Sequence, residues 1–201
     1  MPTVGLTGDV GAGKSTLCSE LAACGACIID ADSVARALWD DPEIRHAAEE
    51  RWGKGFFDVP RKEMYARIAA KIFGNDAEYE FASKLLHKKT MENIVAQAES
   101  TGGVVVAEIP LLYEGGYEKL FDFVVYAACG FEERVGRNAK RSWNAEEIAR
   151  REAHLLPRGE KIARADLVLV NDGSEEEWRK KARDLWRKIT EGELDRPAPS
   201  C

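Results

Sequence analysis

The 201-residue sequence predicts an α/β domain with a doubly wound parallel sheet, on three observations. Five short apolar runs are separated by stretches of helical periodicity. These runs are continuous and rich in β-branched residues, the pattern of strands buried on both faces under covering helices. The first run also passes directly into a glycine-rich turn and then a helix.

In chain order, "TVGLT" (3–7) is the first strand, and a helix follows from about Lys14 to Ala23. "ACIID" (26–30) is the second strand. A long helical section then runs over about 33–101, too long for a single crossover and read as a helical insert. In its last part Tyr79, Leu86, Met91, Ile94 and Val95 fall near helical spacing with charges between them. "GVVVAEI" (103–109) and "FDFVVYAA" (121–128) are the third and fourth strands, and an arginine-rich helical section over about 131–164 follows them. "ADLVLVN" (165–171) is the fifth strand, with a last helix over about 174–191. The expected organisation is one domain with a core of about 1–32, 102–130 and 165–191, an insert of 33–101 and a lid of 131–164. A Pro-containing tail, 192–201, is expected to fray.

Composition narrows the function. The formal charge is −6 and the pI about 5.3, which argues against a general nucleic-acid binder that needs a cationic surplus. A local cationic site for a small anion remains compatible with it. The N-terminal "MPTVGLTGD" has no basic start or apolar stretch, and no segment approaches a membrane span, so the expectation is a cytoplasmic protein. Its oligomeric state is expected to be monomer or weak oligomer. Five cysteines, an odd number without a second pair to finish a zinc site, read as buried free thiols. Cys24 is placed at the end of a helix and Cys27 at the start of a strand.

Gly8-Asp9-Val10-Gly11-Ala12-Gly13-Lys14-Ser15, followed by Thr16, fits G-x-x-x-x-G-K-[ST] between a strand and a helix. The glycines let successive N–H groups converge on phosphates, and the helix N-terminus adds partial positive charge. Lys14 is expected on the β- and γ-phosphates of ATP and the Ser15 hydroxyl on Mg²⁺. Asp9 introduces a carboxylate into this loop. Phosphates are held by backbone N–H groups, so Asp9 is expected to point outward or brace the loop. Pairing with a lid cation and facing the acceptor are the alternatives. It is read as the least necessary residue in the stretch.

"IIDADSVAR" places Asp30 and Asp32 at the end of the second strand, where period two would point both to one side. A phosphotransferase needs a carboxylate to take the acceptor hydroxyl's proton. Asp32 is assigned that role and Asp30 a structural or metal-linked one; capping of the helix from Ser33 is the alternative. Arg36 could meet an anionic acceptor. Arg134, Arg137 and Arg141, three and four apart, would stack on one helix face and offer guanidinium groups to a transferring phosphoryl.

Taken together in order, these segments resemble the dephospho-coenzyme A kinase family of P-loop kinases to about residue 190. The resemblance rests on "GLTG-x-x-G-x-GKST", "IDAD-x-x-AR", "LLH" (85–87), "IPLLYE" (109–114), "R-x-x-x-R" (137–141), "P-x-x-EK" (157–161) and "AD-x-x-x-x-N-x-G" (165–173). It implies a three-layer P-loop NTPase fold and ATP-dependent phosphorylation of the ribose 3′-hydroxyl of dephospho-CoA. It further implies Asp32 as general base, Arg36 and His87 as acceptor contacts, and Pro110, Leu111 and Leu112 as the wall of the acceptor cleft. Arg137 and Arg141 would face the transferring phosphate, and Asn171 to Gly173 would lie around the adenine. The family usually has Gly where Asp9 stands, Pro at Lys88, Asp at Glu108 and Gln at Leu155. Another small-molecule kinase is the alternative activity. A GTP-dependent switch is disfavoured because Asn171 is not followed by Lys.

Overall fold

The computed structural model describes residues 2–138, 144–153 and 155–194. The chain divides into two compact units, 1–30 with 98–201, and 31–97.

The first unit is built on a five-stranded, fully parallel sheet of order β2-β3-β1-β4-β5. Its strands are β1 (Thr3–Gly8), β2 (Cys27–Asp30), β3 (Val105–Glu108), β4 (Phe123–Ala128) and β5 (Leu167–Val170). The α/β architecture read from the apolar runs is therefore the observed one. One face of the sheet carries Val4, Leu6, Val106, Val125 and Ala127. These pack with Leu17 and Leu21 of helix α1 (Lys14–Cys24) and with Trp178, Ala182, Leu185 and Ile189 of the last helix, Glu175–Glu191. Burying such side chains contributes on the order of 1.5–3 kcal/mol each, which is why this face holds the unit together.

The chain leaves β1 toward β2 on one side and β4 toward β5 on the other. The strand order therefore reverses between β1 and β4, and the carboxyl ends of strands at such a switch point are where ligands bind in these sheets. The glycine-rich turn sits there, and Gly8 is in register with Ala127.

The second unit is helical. It contains α2 (Ala31–Ala37), a 3₁₀ turn (Leu38–Asp40), α3 (Pro42–Trp52), α4 (Arg61–Phe73) and most of α5 (Asp76–Ser100). Asp41 caps α3 by accepting from the Glu43 N–H at 2.8 Å, with Pro42 at the first helical position. Trp39, Ile44, Ala48, Phe56, Phe57, Met64, Ile68 and Ala82 form its core. Trp39 stacks on Trp52 with centroids 5.4 Å apart.

Three expectations need correction. Asp30 and Asp32 do not share a strand face, because β2 ends at Asp30 and the chain turns helical at Ala31, leaving Asp32 in the first turn of α2. Tyr79 is exposed on α5, whereas Met91 and Ile94 are buried there. Cys18 and Cys129 are buried free thiols as expected, but Cys27 is exposed at the start of an edge strand. The frayed tail and Cys201 fall on residues 195–201, outside those described.

Candidate active site

The glycine-rich loop closes on itself through an Ala12 N–H to Asp9 carbonyl bond of 3.1 Å. Each of its carbonyls has a donor. Lys14 Nζ donates to the Gly8 and Asp9 carbonyls at 3.2 and 3.1 Å. Arg134 Nη1 donates to Val10 O at 3.0 Å, Asn138 Nδ2 to Gly11 O at 3.2 Å and Asn171 Nδ2 to Ala12 O at 2.8 Å. Trp178 Nε1 donates to Gly13 O at 3.0 Å. With the loop carbonyls occupied by protein donors, its remaining backbone N–H groups are what it can offer an anion. Helix α1 adds to them: its N-cap is Gly13, no side chain caps it, and no acidic residue stands in its first turn. The first N–H groups of a helix have no intrahelical acceptor, so this end is suited to an anion.

Two glycines are required by close approach. A Cβ on Gly8 would lie 2.2 Å from the Ala127 carbonyl oxygen of β4. Gly13 has φ +88°, and a Cβ there would lie 2.7 Å from Asn171 Nδ2.

Lys14 is half-buried at the first position of α1. Burial pushes its ammonium below the ordinary value, and the Glu108 carboxylate, then Asp9, pull against that shift. Ser15 is exposed on the next position and Thr16 is half-buried. Glu108, at the carboxyl end of β3, is in register with Asp30 of β2 and accepts from the Cys18 thiol at 3.5 Å. Burial, followed by the Glu108 charge, pushes that thiol up, so Cys18 stays protonated and unreactive.

Asp9 departs most from its expectation. It is 2% exposed and accepts from the Tyr126 hydroxyl at 2.6 Å, the Cys129 N–H at 2.9 Å and Arg158 Nε at 3.1 Å to each oxygen. It braces the loop and at once pairs with a cation of the segment expected to form the lid, and it is buried. Burial and the Asp9 bond keep the Tyr126 phenol protonated as a donor. Burial works against the Arg158 charge, but Asp9 outweighs it and raises that pKa. Sequence reasoning left Arg158 out, although "P-x-x-EK" encloses it. The signal that could have found it was an unexplained buried acid calling for a cation.

The arginine ladder is also used differently from the phosphate-facing reading. Arg134 is buried in an ion pair with Glu152 at 2.6 Å, which also accepts from the Val10 N–H at 3.4 Å. Arg137 donates to the carbonyls of Asn171 at 2.8 Å and Gly173 at 2.6 Å, fixing the turn after β5. Arg141 lies outside the described residues. Pro110 accepts from the Thr7 hydroxyl at 3.3 Å, Leu111 is half-buried beside it, and Leu112 is fully buried where it crowds Gly5. The buried Lys161 pairs with Glu114 at 3.4 Å, and Glu114 also accepts from the Leu156 N–H at 3.0 Å.

In the helical unit Asp32 and Arg36 are exposed on α2. His87 on α5 is half-buried, with Nε2 3.4 Å from the Ser83 hydroxyl, and burial lowers its pKa, favouring neutral imidazole.

A family model for dephospho-CoA kinase matches residues 2–177. The chain belongs to the dephospho-CoA kinase family. The dephospho-CoA kinase of Chlorobium luteolum is 32% identical over 204 residues, covering 96% of this chain and 93% of that protein. A crystal structure from Thermus thermophilus is 28% identical with a TM-score of 0.71, covering 92% of this chain and 97% of its own. The structure of the dephospho-CoA kinase from Campylobacter jejuni, 20% identical, shares the fold with a TM-score of 0.65 over 94% of this chain and 97% of its own. The family is one of kinases, so ATP is a substrate. No helix among the described residues is long and apolar enough to cross a membrane.

Proposed function

We infer that the chain carries out its family's reaction, transfer of the γ-phosphoryl of ATP to the ribose 3′-hydroxyl of dephospho-CoA, giving coenzyme A and ADP. The observation that carries this reading is the loop itself: six carbonyls held by protein donors, two of them by Lys14, and an uncapped helix end. Such a preorganised set of donors needs little rearrangement to meet charge on phosphoryl oxygens.

Mg²⁺ fits the residues present. The exposed Ser15 hydroxyl and the strand-end carboxylate Glu108, with Asp30 beside it in register, are hard oxygen donors. Among the described residues no group of three or more His, Cys, Asp or Glu could hold a metal alone. That suits an ion carried in part by substrate phosphates. When bound, it would neutralise charge between the β- and γ-phosphates.

Asp32 is assigned as the base that takes the proton of the 3′-hydroxyl, and its exposure on α2 leaves the carboxylate accessible. Arg36 would meet an anionic part of the acceptor, and His87, neutral at pH 7 through burial, would serve it as a hydrogen-bonding group. Pro110 and Leu111 would border the acceptor, with the buried Leu112 supporting them from the core. Asn171 and Gly173, held by Arg137, would shape the nucleotide end.

The test is ATP-dependent conversion of dephospho-CoA followed by mass. A gain of one phosphoryl on dephospho-CoA is expected; turnover of other acceptors without dephospho-CoA would overturn the reading. Asp32→Asn should lower kcat by about 10²- to 10⁴-fold while ATP affinity is kept. An unchanged kcat removes Asp32 from the role.

A further inference from the structure

Asp9 and Arg158 stand outside the residues given a role in the reaction above, yet their contact joins a buried carboxylate of the phosphate loop to a half-exposed cation. The carboxylate is 2% exposed, while the Arg158 side chain is 51% exposed. The pair therefore has a closed end and an open end. At the closed end the carboxylate is saturated by Tyr126, Cys129 and Arg158 Nε. Only Nε of the guanidinium is used; among the described residues Nη1 and Nη2 donate to no protein acceptor. The remaining N–H donors of a rigid, planar cation, anchored to the loop through Asp9, are thus left for a ligand. The other cation of the loop, Lys14, is fixed to the backbone carbonyl of the same residue. Asp9 thus ties two cations to one point of the loop, one through its main chain and one through its side chain.

We propose that Asp9 is a positioning residue that holds Arg158 at the phosphate loop, and that Arg158 is a further phosphate-binding residue of this kinase, donating through Nη1 and Nη2 to the ATP polyphosphate. The proposal rests on the reading of the loop as an ATP site. It accounts for an acid inside an anion-binding turn. Its own charge is neutralised by the pair and faces away, and the arginine it anchors supplies donors that an anion can use. A guanidinium already fixed at one nitrogen also loses less freedom on meeting phosphate than a free surface arginine would.

The test is equilibrium binding of ATP and of adenosine, by calorimetry, to the full-length chain and to Arg158→Gln and Arg158→Lys. Loss of charge-assisted bonds to phosphate should weaken ATP about 10- to 100-fold in the Gln variant, with adenosine within about twofold of the parent. The Lys variant, which keeps a cation without the fork, should fall between the two. In turnover the Gln variant should raise the KM for ATP, with the KM for dephospho-CoA kept. ATP binding within twofold of the parent in Arg158→Gln overturns the assignment. Equal losses for ATP and adenosine do so too, because they report a distorted loop and not a lost phosphate contact. A Lys variant no better than Gln also counts against it. Dephospho-CoA is absent from the binding experiment, so a protein that binds ATP normally but never phosphorylates dephospho-CoA would refute the function separately.

Discussion

Removing one hydroxyl tests how the loop is braced. Tyr126 is fully buried and donates to Asp9 at 2.6 Å, so Tyr126→Phe deletes a short bond to a carboxylate without opening a cavity. Hydrogen bonds to charged groups contribute about 1.5–3 kcal/mol. The low end applies, because the same oxygen of Asp9 still accepts from Arg158 Nε at 3.1 Å. A loss of about 1.5 kcal/mol in a chain of this size lowers Tm by roughly 3–6 °C. Asp9→Gly should be costlier, since it orphans both the Tyr126 hydroxyl and the buried Cys129 N–H. The two effects should be non-additive, with a coupling near the value of the shared bond, about 1.5 kcal/mol. Thermal melts and urea titrations of the four proteins of this cycle measure it. Full additivity, or a Tyr126→Phe protein melting within about 1 °C of the parent, would refute the bracing argument.

Three further outcomes follow from the same geometry. Gly13→Ala places a side chain at φ +88° and 2.7 Å from Asn171 Nδ2, so ATP affinity measured by calorimetry should fall at least about tenfold, the equivalent of ~1.4 kcal/mol. Lys161→Met leaves Glu114 as an unpaired, largely buried carboxylate and should cost about 3–5 kcal/mol in urea unfolding, with Glu114→Gln milder. The lowered Lys14 pKa means that the unfolded chain binds more protons than the folded one between the folded value and 10.5, so this group makes stability rise with pH across that window. ATP favours the charged ammonium, so its binding should take up a proton in the same window and weaken as pH rises through the folded value. Calorimetry in buffers of different ionisation enthalpy measures that uptake, and Lys14→Met should abolish it.

Much of the fold was legible in the chain because its strands lie in the interior of a parallel sheet. Burial on both faces imposes continuous apolar runs such as "GVVVAEI" and "FDFVVYAA", which helices and loops do not share. The phosphate loop was legible for a similar reason. Close approach of Gly8 to Ala127 and of Gly13 to Asn171 excludes any side chain, so the glycine spacing is written directly into the sequence. The end of β2 was misread because two aspartates at spacing two fit a strand as well as the first turn of a helix. Only the chain's turn at Ala31 decides between them.

What local sequence determined, then, was the set of elements and the backbone cradle, since both depend on residues a few positions apart. What only the tertiary structure decided was the use of the charged side chains. Arg134 goes to Glu152 and the loop, Arg137 to the turn after β5, and Asp9 to Tyr126 and Arg158, 117 and 149 residues away. The physical reason is that a carboxylate or guanidinium has no preferred partner in sequence. Its role is set by which opposite charge and which desolvated space the completed fold brings to it. That is how an aspartate read as dispensable became the most completely hydrogen-bonded side chain of the phosphate loop.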